Sequence, residues 1–101
     1  MDCLFLLTEL KNFIDGDGKL KQYPAKQRLK TLSLFYLASK FERDRLYTEA
    51  EVNRILKTWH TFEDWAMLRR DLYDKRFLGR KADCSGYWLE NEQPTPASLG
   101  V

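Results

Sequence analysis

Tyr47-Thr48-Glu49-Ala50-Glu51 and His60-Thr61-Phe62-Glu63-Asp64 open two segments whose threonines stand thirteen residues apart. In each, a Thr hydroxyl can accept from the free N–H groups of a first helical turn. An acid three residues on can reach back to the Thr N–H. This spacing predicts two adjacent helices with a tight corner between them, the unit of a helix-turn-helix. Val52, Ile55, Leu56 and Trp59 fall at i, i+3, i+4 and i+7, one apolar stripe along the first of the pair. Phe77-Leu78-Gly79-Arg80, a polar Lys81–Gly86 turn and Tyr87-Trp88-Leu89 then read as a hairpin, and Tyr47 as the start of a very short strand. The predicted class is mainly α with a small antiparallel β-hairpin: a winged helix-turn-helix plus an N-terminal helix.

Working outward, Leu6, Leu7, Leu10, Phe13 and Ile14 recur at helical spacing, so residues 2–14 read as an amphipathic first helix. Asp15-Gly16-Asp17-Gly18 stops it, because glycines tolerate the positive φ of a tight turn. Lys19–Tyr23 reads as extended. Pro24 suits the first turn of a helix that carries Leu29, Leu32, Phe35, Tyr36 and Leu37 and ends near Lys40. Residues 1–90 therefore form one winged-helix-like domain, with 1–14 as its N-terminal helix. Residues 91–101, with Pro94, Pro96 and Gly100, have little to pack and are expected to be a flexible tail.

A chain of 101 residues with 14 % aromatics can bury a modest core without disulfides or metals. Cys3 and Cys84 show no framework spacing, so a cytoplasmic protein with reduced thiols is expected. Asp2 stands where a signal peptide needs basic residues, and no stretch approaches the roughly 18 apolar residues of a spanning helix. The net charge of +2 is too weak to name nucleic acid as partner by itself.

Several of these residues resemble an uncharacterised bacterial family, domain of unknown function number 2087. The resemblance is carried by Asp17-Gly18-Lys19-Leu20-Lys21, Pro24 and Lys26, then by Tyr47-Thr48-Glu49-x-Glu51-Val52-Asn53-x-Ile55-Leu56. It continues through Asp64, Leu68-Arg69-Arg70-x-Leu72, Asp74, Phe77-Leu78-x-Arg80 and Tyr87-Trp88, covering roughly residues 12–89. It implies a winged-helix-like fold. In some relatives the domain is the partner of a separate helix-turn-helix regulator, which implies transcriptional control.

From Gly18 to Phe41 every charge is positive: Lys19, Lys21, Lys26, Arg28, Lys30 and Lys40. Helix N-termini offer N–H groups to phosphates, and nearby cations release counterions on binding. Double-stranded DNA is therefore an expected partner. Lys19, Lys21, Lys26, Arg28, Lys30, Arg70, Arg80 and Lys81 are its candidate contacts, the last two from the hairpin. Against this, a wheel over residues 62–76 turns Glu63, Asp71 and Asp74 outward beside Arg70, and three carboxylates would repel phosphates. That face favours a rival reading, a non-catalytic protein-interaction or dimerisation module that reads no DNA.

Arg69 falls on the apolar side of the same wheel, where a guanidinium needs a partner. It is expected in a structural ion pair with Glu51 or Asp74; a bound anion held by an Arg69–Arg70 fork is the other reading. His60 is the sole histidine, and its position between aromatics suggests packing. No zinc-ligand pattern appears. The Asp15-Gly-Asp17-Gly start of a calcium loop is broken by Lys19, and Lys26 stands where its last ligand belongs. The serines lack a paired base, so a non-enzyme without cofactors is expected. The apolar N-terminal helix is expected to join two copies as a homodimer.

Overall fold

Thr48 caps helix α3 (Glu49–Trp59) as its sequence requires: the Glu51 N–H donates to the Thr48 hydroxyl at 3.1 Å, and the Thr48 N–H donates to the Glu51 carboxylate at 2.9 Å. The Thr48 N–H, with Arg45 beside it, holds the Glu51 carboxyl below its ordinary range. The computed structural model describes residues 3–100. Ahead of α3 lie α1 (Cys3–Glu9), α2 (Gln27–Ala38) and the two-residue strand β1 (Leu46–Tyr47). After it come α4 (Trp65–Asp74), β2 (Leu78–Arg80) and β3 (Tyr87–Leu89). The three strands form one antiparallel sheet in the order β1-β3-β2, with Leu46 opposite Trp88 and Gly79 also opposite Trp88 from the other side. The expected hairpin is present, and the short strand at Tyr47 extends it.

One core joins these layers. Leu34 and Leu37 of α2, Val52 and Leu56 of α3, Leu68 and Leu72 of α4 meet Leu78, Tyr87 and Leu89 of the sheet, all buried. Each such side chain contributes about 1.5–3 kcal/mol of transfer free energy. A smaller cluster of Leu6, Leu10, Leu32 and Tyr36 fastens α1 to α2.

Four boundaries differ from the sequence reading. The first helix stops at Glu9, not at Ile14, because Ile14 pairs with Leu20 as the chain doubles back over Gly18, whose φ is +81°. Residues 1 and 2 of that expected helix lie outside the described residues. Pro24 is buried ahead of α2, whose N-cap is Lys26, so it precedes the helix and does not open it. Thr61 is not the cap of α4. Its N–H donates to the Leu20 carbonyl at 3.0 Å, while the Leu20 N–H donates to the Trp59 carbonyl, so a distant segment claims the corner. The helix starts four residues later, and the His60 ring replaces the cap: Nε2 accepts from the Asp64 N–H at 2.9 Å, and Nδ1 meets the Leu56 carbonyl. Last, the segment after β3 does find something to pack against. Leu99 reaches the core, and the Gln93 amide donates to the carbonyls of Phe77 and Glu90.

Candidate nucleic-acid interface

Helix α4 carries the candidate surface, and its two edges are set by contacts to different parts of the chain. On one edge, Asp71 accepts from the Tyr23 hydroxyl at 2.8 Å, and the Tyr23 ring stacks on Phe62. Burial, then the Asp71 carboxylate, push the Tyr23 hydroxyl well above the ordinary tyrosine range. On the other edge, the Arg80 guanidinium of β2 lies 4.1 Å over the Tyr73 ring. Asp71 and Tyr73 are two residues apart, about 200° around a helix. The outward ridge between them holds Ala66, Met67, Arg70 and Asp74, all exposed.

Two of the expected cations sit against the edges of that ridge, Lys30 at Tyr23 and Arg80 at Tyr73. Lys30 places its ammonium 5.2 Å from the Tyr23 ring, while Lys21 and Lys26 are exposed within three residues of Tyr23 along the chain. Lys19 is half-buried and lines a hollow of about 450 Å³ with Lys57, His60, Thr61, Glu63 and Trp65. On the hairpin side, Arg80 and Lys81 are exposed. The loop that presents them is ordered by internal bonds: the Lys81 N–H donates to the Gly86 carbonyl, the Cys84 N–H to the Lys81 carbonyl and the Ser85 N–H to the Asp83 carboxylate. Arg28 is the member that turns elsewhere, forming a 2.5 Å ion pair with Glu9 of α1.

The carboxylates are arranged differently from the wheel. Glu63 precedes the helix, with φ of +54°, because α4 starts late. Asp71 turns into the Tyr23 bond. Asp74 alone of the three stays on the ridge, paired loosely with Arg70 at 3.6 Å. On the outward ridge one partly neutralised acid remains, while Asp71 keeps its charge at the Tyr23 edge and Glu63 stays exposed ahead of the helix.

Arg69 makes a structural pair, as its position on the wheel demands, but with Glu49 at 3.4 Å, not with Glu51 or Asp74. It also donates to the Asn53 side-chain carbonyl. Glu51 is already engaged by the capping box and by Arg45 at 3.1 Å. The Tyr87 hydroxyl meets Glu49 at 3.4 Å, so strand β3, α3 and α4 share one polar knot. Lys57 escaped the sequence reading. Its ammonium lies 4.1 Å from the Trp65 ring at the start of α4. The signal was a Lys in the last turn of α3, adjacent to the corner.

No helix among the described residues is long and apolar enough to cross a membrane. The chain belongs to the family described as "uncharacterized protein conserved in bacteria (DUF2087)", whose model matches residues 19–89. The match starts at Lys19, after α1, and ends at the last residue of β3. No curated protein and no solved structure matches the chain.

Proposed function

We propose that this chain is a cytoplasmic, non-catalytic winged-helix protein that binds double-stranded DNA in transcriptional control. Helices α2, α3 and α4, with β1 after α2 and a hairpin after α4, and a sheet ordered β1-β3-β2, support the layout of a winged helix-turn-helix. In that layout α4 is the helix offered to the major groove and β2–β3 is the wing. The observation that carries the reading is a cation against each edge of α4, Lys30 at Tyr23 and Arg80 at Tyr73, with Lys21, Lys26 and Lys81 exposed nearby in the chain. A helix lying in a groove has a phosphate strand on each side, so cations are needed on both. Arg70, with its side chain 81 % exposed, is the guanine reader on the ridge.

The test is fluorescence anisotropy of a labelled mixed-sequence duplex, titrated at low and at near-physiological salt. The expected result is micromolar binding that weakens steeply with salt and is lost in Lys26→Glu combined with Arg80→Glu. Absence of binding at low salt refutes the reading for this chain.

A specific observation favours the rival module. Leu4, Phe5 and Leu7 of α1 are 70 %, 41 % and 39 % exposed, an apolar face turned outward among the described residues. We read this face as the homodimer contact, which is compatible with DNA binding by a symmetric pair. Sedimentation at tens of micromolar is expected to show a dimer that Phe5→Glu converts to monomer. A dimer that binds no DNA leaves the interaction module as the function.

A further inference from the structure

We propose that the cleft between α4 and the β2–β3 hairpin is a binding site for a phosphate group. The cleft has a volume of about 540 Å³, and Arg69, Arg70 and Arg80 line it from two elements. The three guanidiniums face two carboxylates, Glu49 and Asp74, so the lining carries a surplus of one positive charge. Both carboxylates are engaged at their own ends, Glu49 by Arg69 and Tyr87, Asp74 by Arg70. Arg80 forms no ion pair with a carboxylate among the described residues. Its plane rests on the Tyr73 ring at 4.1 Å, which orients the guanidinium while leaving edge N–H donors for an anion.

The geometry selects the anion. A planar carboxylate is satisfied by one guanidinium fork in its own plane. Here the guanidiniums that line the cleft belong to neighbouring positions of α4 and to a strand across the hollow, so an anion between them meets donors on more than one side. That suits a tetrahedral anion with oxygens on several sides. The Tyr87 hydroxyl, beside Arg80, donates its one proton to Glu49 and so helps to occupy that carboxylate. The site does not rest on DNA binding by the chain: the group can be a phosphodiester of nucleic acid or the phosphate of a small ligand, and the test separates the two.

Cys84 lines the same cleft and is half-buried, which makes it a built-in reporter. In a Cys3→Ser chain, alkylation of Cys84 by a maleimide is timed in inorganic phosphate and in chloride at equal ionic strength and pH. At ten times the dissociation constant, phosphate is expected to slow the reaction about tenfold by mass action. Arg80→Gln, on an exposed strand end, is expected to abolish the protection while leaving the melting temperature within a few degrees. Equal rates in phosphate and chloride overturn the proposal, and so does undiminished protection in Arg80→Gln. A short mixed-sequence duplex then gives the source. Arg80-dependent protection by the duplex as well assigns the site to the nucleic-acid backbone. Protection by phosphate but not by duplex assigns it to a small phosphate ester, and in that case the DNA reading fails while the phosphate site stands.

Discussion

Tyr23 shows how one side chain decides what a helix presents. Its hydroxyl draws Asp71 off the outward ridge of α4, and its ring supports Lys30 and Phe62. Because burial and the Asp71 carboxylate raise its ionisation above the ordinary value of 10.0, the folded form keeps Tyr23 neutral where the unfolded form ionises. Its contribution is therefore complete below about pH 10 and declines as pH rises further. Urea midpoints measured between about pH 9 and 11 are expected to fall less in Tyr23→Phe than in the parent chain. Arg69 makes the same kind of argument from the opposite edge. Arg69→Met removes the guanidinium from Glu49 and Asn53, at an expected cost of about 2 kcal/mol, which a thermal melt reads as a loss of roughly 5–15 °C. An unchanged melting temperature would show that the knot is ornamental. The need for a partner to Arg69 was legible in the wheel, and the right acid was within reach: a capping box uses Glu51, so Glu49 is the acid of that turn left free.

At the scale of elements, α3 and the corner after it differ in how far their signals reach. Thr48, Glu51 and the Val52–Ile55–Leu56–Trp59 stripe act within one helix, so the sequence states α3 in full. Thr61 carries the same local pattern and does not cap, because the Leu20 carbonyl takes its N–H from forty-odd residues upstream and His60 supplies the acceptor for Asp64. A pattern made of neighbours cannot reveal a competitor that distant. The early end of α1 has the same origin, since Leu20 recruits Ile14 into a bridge. The hairpin was readable from two short apolar runs about a polar turn, but the demand at Gly79 was not. A β-carbon there would overlap the Trp88 indole and the Glu90 carboxylate, because Trp88 lies flat across the strand opposite. Gly79→Ala is expected to cost about 1–3 kcal/mol as an overpacked contact, followed as a lower urea midpoint in tryptophan fluorescence. A neutral result would mean that the indole swings clear at no cost.

For the whole molecule, the cations matter through where the fold puts them, since a net charge of +2 supplies little general attraction. The 19–30 stretch is one basic run in the sequence, yet the fold splits it: Arg28 goes to Glu9, Lys19 to the α3–α4 corner and Lys30 to Tyr23, while Lys21 and Lys26 stay exposed. The opposite edge of α4 receives Arg80, with Lys81 next to it in the chain, from a hairpin fifty residues further on. If the duplex lies across α4, these two edges meet different phosphate strands and act independently. Each phosphate contact contributes about −0.9 to the slope of log K against log salt, so a complex using two cations on each edge has a slope of about −3 to −4. Lys21→Ala with Lys26→Ala should reduce that slope by about 2, and Arg80→Ala with Lys81→Ala by a further 2, with the free-energy losses adding in the quadruple variant. Loss of slope on one edge alone would place the duplex against that edge and remove α4 from the groove.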